Sequence, residues 1–297
     1  MYPAISTLLT LWHFAKCFSR GGHMPDEPDG PRASIWSITS GKGGVGKTTL
    51  SLNLGIALSQ LGKQVLLIDA DVGLANVNIL LGASPESTLE DLLQGRVTAF
   101  DVTMEGPEGL TVLPAASGMA ESEAWQYNDR SRLAEELGRL ERGFDLILID
   151  TGAGISSKVT DFVLSSDKML VVAVPEPTSI ADAYAMVKVC ASQRTDLEME
   201  LLVNCARSPR EAFELHQKFQ QIVDRFLGLS VPGNGYVLED LSVEHASRNQ
   251  QPLILANPDA SASQCIQRLA QEMSTAASQV DGPGLFDRLM DRIISET

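Results

Sequence analysis

The sequence predicts an α/β fold: one doubly wound, mostly parallel sheet with helices on both faces. Three observations carry that expectation. From Ser34 onward, short β-rich runs alternate with helical patterns, the order produced when each strand returns through a crossover helix. Two of the runs, Val65-Leu-Leu-Ile68 and Leu146-Ile-Leu-Ile149, are apolar without interruption, as in strands covered on both faces. Between the first strand and the first helix lies a glycine-rich turn, Gly41-Lys-Gly-Gly-Val-Gly-Lys-Thr-Thr49. A turn of that kind wraps backbone N–H groups around phosphate at a helix N-terminus.

The elements follow in order. Strands are expected over Ile35–Ser40, Gln64–Asp69, Leu110–Pro114, Asp145–Asp150, Met169–Val174, Glu200–Asn204 and Gly235–Leu238. Helices are expected over Thr48–Leu61, Thr88–Gln94, Asp129–Glu141, Lys158–Ser165, Ser179–Gln193, Pro209–Leu227, Val243–Arg248 and Ala260–Ser278. In the first helix Leu50, Leu54, Ala57, Leu58 and Leu61 form one apolar stripe, and Gly62 is a good stop. One doubly wound domain thus spans 34–280, preceded by an extension over 1–33 and followed by an amphipathic helix over 281–297. Tyr2–Phe18 is interrupted by His13 and Lys16, too short for a spanning helix, and Pro25–Pro31 is no element interior. Met24 is the expected native start.

Composition narrows the classes. With 297 residues, 44% of them hydrophobic, the chain can bury a sizeable core. A net charge of −15 argues against a broad electrostatic grip on DNA. The four cysteines, Cys17, Cys190, Cys205 and Cys265, form no Cys-x-x-Cys pair. Neither a zinc site nor a disulfide framework is suggested, and a reducing cytoplasm fits.

The chemistry gathers at strand ends, where open α/β sheets bind ligands. Gly41, Gly43, Gly44, Val45, Gly46 and Thr49 supply the loop backbone; Lys47 is placed for β- and γ-phosphates and the Thr48 hydroxyl for Mg²⁺. Asp69 and Asp71 end the second strand two residues apart and point the same way, beside the loop; Asp69 is read either as metal-proximal or as a turn cap. Asp150 closes four apolar residues in the pattern of a Walker B carboxylate for Mg²⁺, held directly or through water. Thr151-Gly-Ala-Gly154 follows it as a candidate switch. Asn204 ends a later strand with an amide suited to an adenine edge. Arg207 lies either along the base or ribose or in a surface ion pair.

A second lysine in the loop, Lys42, resembles the mark of the deviant Walker A ATPases of the MinD/ParA type, whose similarity covers about 34–280. The resemblance implies ATP and Mg²⁺ as cofactors and a homodimer formed with ATP, Lys42 reaching the partner's nucleotide. It implies that Asp71 positions the attacking water, and that hydrolysis is slow and of the switch type. Leu113–Gly118, Val174–Lys188 and Ser208–Ala212 resemble the FlhG/FleN branch of flagellar-number regulators more than MinD, whereas Asp71–Asn78 is shared with MinD. That branch implies control of flagellar number or placement, by restraining a FleQ-like transcription activator or by acting with FlhF. The Asp-Gln-Ala-x-x-Leu-Arg element associated with FlhF stimulation does not occur here. The alternatives are a ParA-type DNA-partition ATPase and a MinD-like division-site ATPase.

The tail places Leu285, Phe286, Leu289, Met290, Ile293 and Ile294 on one helical face, with Asp287, Arg288, Asp291, Arg292 and Glu296 opposite. The resemblance implies peripheral membrane contact there, at the inner membrane or cell pole. The polar face has two arginines against three acids, whereas interfacial helices are usually Lys/Arg-rich. Docking on the protein's own surface or on a partner groove is the competing expectation, with a tail docked without ATP and released with it.

Overall fold

The computed structural model describes residues 32–71, 76–82, 86–88, 91–92, 94–114, 135–276 and 280–295. Expectations for 1–31, for 72–75 of the Asp71–Asn78 segment, for 89, 90 and 93 of the helix at Thr88–Gln94, for 115–118, for 129–134 of the helix at Asp129–Glu141, for 277–278 of the helix at Ala260–Ser278 and for Glu296 lie outside these residues.

Apolar runs in the sequence become the interior of an eight-stranded sheet among the described residues. Its strands are β1 (Ser34–Ser40), β2 (Val65–Ala70), β3 (Met104–Glu105), β4 (Thr111–Leu113), β5 (Leu146–Ala153), β6 (Lys168–Ala173), β7 (Glu198–Ala206) and β8 (Gly233–Leu238). They lie in the order β3-β4-β2-β5-β1-β6-β7-β8. All pairs are parallel except β3–β4 at the edge. The strand that leads into the glycine-rich loop is central: Ile35 pairs with Ile147 of β5, and Trp36 with Lys168 of β6.

Alternate residues of each strand feed opposite faces, as the two-residue period of a strand requires. Trp36, Ile38, Leu67, Leu148 and Leu170 pack on one face with helices Lys47–Gln60 and Ser261–Ala276. Ile35, Leu66, Ile68, Ile147 and Ile149 pack on the other, with Phe162 and the C-terminal helix. Met169, Val171 and Val203 continue that second face against helices Pro177–Gln193 and Pro209–Leu227. Both faces are therefore covered, and every residue of β1 and β2 is buried.

The first helix departs from the expected single stripe. Leu50, Leu52, Leu54, Ile56 and Leu58 are all buried, while Leu61 lies 45% exposed beyond its end. Sheet, helix 261–276 and the Leu110 segment surround it; a Cβ at Gly55 would sit 3.0 Å from Leu110 Cδ1. The helix Asn76–Leu81, the turn Leu253–Ala256 and the edge strand β3 are too short to leave a periodic signal.

The C-terminal helix, Leu285–Ser295, is docked on its own domain. Leu285, Phe286, Leu289 and Met290 are buried in the core of the second face, each contributing roughly 1.5–3 kcal/mol as an upper bound. Its first N–H groups, orphaned by helix geometry, donate to a buried carboxylate: Leu285 N–H to Glu141 Oε1 at 2.6 Å and Phe286 N–H to Oε2 at 3.5 Å. The two arginines belong to the docking surface. Arg288 pairs at 3.0 Å with Asp167, which also holds Arg32 through two 2.7 Å bonds, and Arg292 pairs with Asp161 at 3.4 Å. Arg32 in turn bridges to Val280.

Burial pushes Glu141 up to about 7, against the opposing pull of the two N–H donors and of Arg32 and Arg288. A carboxyl raised in the folded state binds its proton more tightly there than in the unfolded chain. Its contribution to stability is therefore full below the unfolded value and lost as pH rises through about 7. Thermal melts should accordingly show wild type losing stability between pH 5 and 8 relative to Glu141→Gln, which keeps one acceptor without a charge. Glu141→Ala should cost about 1 kcal/mol or more at either pH through loss of the cap. Parallel pH profiles for wild type and Glu141→Gln would contradict the buried-cap account.

Candidate functional site

At the carboxyl edge of the sheet, the chain leaves β1 and must reverse into a helix without blocking the cleft. Glycine makes this possible at two positions. Gly46, the N-cap, has φ +85°, and Gly44 has φ +77°, both in the left-handed region. Gly41 serves another purpose: a Cβ there would lie 2.1 Å from the Asp182 carbonyl oxygen, so the loop rests directly on helix Pro177–Gln193. The helix starts at Lys47 with no side-chain cap and no acid in its first turn, leaving its N-terminal dipole end open to an anion.

Beneath the loop lies a buried polar set. Lys47 is only 8% exposed and its ammonium donates to Ser40 Oγ at 2.8 Å, while Ser40 Oγ donates to the Lys42 carbonyl at 2.6 Å. Burial lowers the Lys47 pKa, against the attraction of Asp150 and Asp71, which raises it. Asp150 is fully buried; Ser51 Oγ donates to its Oδ1 at 3.2 Å, and Oδ2 has no hydrogen-bond partner among the described residues. Desolvation pushes Asp150 up to about 7, helped by neighbouring Asp69 and opposed by the Thr48 and Ser51 hydroxyls and the Lys47 charge. A buried carboxylate oxygen without a donor, beside a hydroxyl and a loop of N–H groups, has the hard-oxygen chemistry that fits Mg²⁺ and phosphate.

The two other acids differ from one another. Asp69, the register partner of Asp150 across β2 and β5, accepts from Asp71 N–H at 3.2 Å and from Val77 N–H at 3.3 Å. Its oxygens are engaged in holding the turn and the helix that follows, the capping role left open by the sequence. Asp71 is half-buried and faces the switch: a Cβ on Gly152 would lie 3.2 Å from Asp71 Oδ1. Behind that switch, Gly154 N–H donates to the Ser40 carbonyl at 3.0 Å with φ +94°.

Asn204 is brought to the loop. Its Nδ2 donates to the Val45 carbonyl at 2.7 Å, and the residue is only 8% exposed. The amide therefore supports the loop from below, a role that strand-end position could not reveal. Arg207, exposed just past β7, shares no hydrogen bond with this set among the described residues; its N–H donates to Glu211 Oε2 at 2.7 Å. Lys42 leaves the loop and pairs with Glu176 at 2.6 Å. Ser40, Ser51 and Glu176 escaped the sequence reading. Ser51, four residues after Lys47, shares its helical face and could have been found; Glu176 is 134 residues from Lys42 and could not.

Comparison with known proteins fits this geometry. Residues 33–203 match the family model described as an AAA domain. The chain is 36% identical to the antiactivator FleN of Pseudomonas aeruginosa over 88% of this chain and 93% of that protein. It is 30% identical to the flagellum site-determining protein YlxH of Helicobacter pylori, over 86% and 88% of the two chains. Among solved structures, the septum site-determining protein MinD of Pyrococcus horikoshii, complexed with Mg-ADP, is similar with a TM-score of 0.65 at 27% identity, covering 83% of this chain and 98% of that one.

If Asn204 supports the loop, Asn204→Ala should lower the stability of nucleotide-free protein by about 1–2 kcal/mol. It should also weaken inorganic triphosphate and ATP by similar factors, read by calorimetry. Selective loss of ATP with unchanged triphosphate binding would mark a base contact instead.

Proposed function

The chain belongs to the AAA-domain family of P-loop ATPases that includes FleN and MinD, and we propose that it is a nucleotide-switched regulator of flagellar number or placement. Similarity to FleN over nearly the whole of both chains carries this reading. The name antiactivator supports restraint of an activator and the name of YlxH supports flagellar placement; in this reading the partners are those implied by the sequence resemblance, a FleQ-like transcription activator or FlhF.

In this reading ATP with Mg²⁺ occupies the loop. Backbone N–H groups of Gly41–Thr49 and the Lys47 ammonium receive the phosphates, and Thr48 and Asp150 hold the metal, with Asp69 positioning the turn nearby. Mg²⁺ bound there supplies neutralisation of phosphate charge. Burial lowers the Lys47 pKa, and the charges of Asp150 and Asp71 facing it oppose that shift. Asp71, beside Gly152, holds the attacking water and accepts its proton. Lys42 reaches a second copy's nucleotide, so that dimerisation reports the triphosphate. Hydrolysis returns the monomer, and without a partner turnover is slow. Arg207 lies along the base or ribose, while Asn204 holds the loop through the Val45 carbonyl.

In this reading the tail is docked on its own domain without ATP and released with it. No described helix is long and apolar enough to cross a membrane. Peripheral contact would therefore use the face now occupied by Leu285, Phe286, Leu289 and Met290, at the inner membrane or cell pole.

Light scattering and turnover test this mechanism together. Lys42→Ala should remain monomeric in ATP, and Asp71→Ala should form a persistent dimer with turnover reduced by roughly 10²-fold or more. Asp71→Ala with wild-type turnover would remove the water-positioning role. In pull-downs, a flagellar activator should be retained with ATP and not with ADP; capture of random-sequence DNA instead, weakening steeply with salt, would favour the partition alternative.

A further inference from the structure

In the single chain, the lysine assigned to a partner's nucleotide is already engaged in cis. Lys42 Nζ lies 2.6 Å from Glu176 Oε2 and 3.5 Å from Thr178 Oγ1. The acceptor is held by an unusually constrained corner. Pro175 and Pro177 flank Glu176, each with φ fixed by its ring. The Glu176 N–H donates to the Val174 carbonyl at 2.6 Å, and the Val174 N–H donates to buried Ser179 Oγ at 3.0 Å. Glu176 stands at the N-cap of helix Pro177–Gln193, yet its side chain caps nothing there and turns to Lys42. The base of the lysine is tied to the same helix, because Gly41 packs against the Asp182 backbone. Root and tip of Lys42 are therefore both referred to one helix.

We propose that Glu176 is a positioning residue that holds Lys42 against its own protomer until ATP-driven dimerisation transfers the lysine to the partner. The inference rests on the dimerising reading above and adds to it the group that opposes dimerisation. Side chains of Lys42 and Glu176 are 40% and 55% exposed, so water screens the pair and its hold is weak. A weak hold suits a switch: each protomer must release one pair, and the release lowers the dimerisation constant without forbidding it. Removing the acceptor should thus favour the dimer. For an exposed pair the expected gain is about two- to fivefold per protomer, and since two pairs break, the product of two such factors in the dimerisation constant.

The test compares wild type, Glu176→Gln, Lys42→Ala and the double variant by sedimentation in ATP and Mg²⁺, each across a range of protein concentrations. Glu176→Gln should dimerise at lower concentration than wild type, with calorimetric ATP affinity of the dilute monomer unchanged. The substitution should have no effect in the Lys42→Ala background. In parallel, amine-reactive labelling of nucleotide-free protein, read at Lys42 by mass spectrometry, should be about twofold or more faster in Glu176→Gln. A merely structural role for Glu176 would not change reactivity at that one lysine. An unchanged or higher dimerisation midpoint, or unchanged Lys42 labelling, overturns the proposal while leaving ATP-driven dimerisation intact. Wild type that stays monomeric in ATP overturns the dimerising reading, and the proposal with it.

Discussion

The burial of opposite charges at the head of β1 governs the rest of this molecule. Asp150 and Lys47 are both withdrawn from water, a cost that proteins accept only with compensation. Here compensation is partial: one Asp150 oxygen lacks a donor, and desolvation raises Asp150 as it lowers Lys47. Such a site is poorly matched to itself and well matched to a metal and a phosphate chain. The central position of β1 beside β5 brings Asp150 of β5 next to Lys47, which opens the helix that follows β1. Covered faces on both sides of the sheet keep water out.

Two levers then extend from this centre to the surface. One runs through the loop itself, whose outer lysine is caught by Glu176 on the helix that Gly41 rests upon. The other runs through the switch at the end of β5 into helix Ser157–Ser165, whose Asp161 and Phe162 meet the docked tail through Arg292 and the second-face core. Loop, switch and tail thus share contiguous packing.

Much of this was legible in the chain. Long apolar runs announced β2 and β5, and the glycine-rich turn fixed the position of the site, because periodicity and turn chemistry are local properties. Less was legible where neighbours decide. The first helix reads as striped, yet it is buried around its circumference by elements distant in sequence. Asn204 reads as a base contact from its strand-end position, but the fold turns its amide onto the Val45 carbonyl. Arg288 and Arg292 read as a polar face, although Asp167 and Asp161 draw them into the docking surface. Asp69 carried two readings, and its two backbone donors are the contacts expected of the turn-holding one.

The central claim is that the incompletely compensated charges under the loop are built for a metal-bound triphosphate. Calorimetric titration of the purified protein with ATP tests it most directly, run once with Mg²⁺ and once with a chelator. The account predicts saturable heat with Mg²⁺ and affinity at least about tenfold weaker without it, the loss of one good metal–carboxylate contact. Equal affinity in both, or no heat in either, would contradict it.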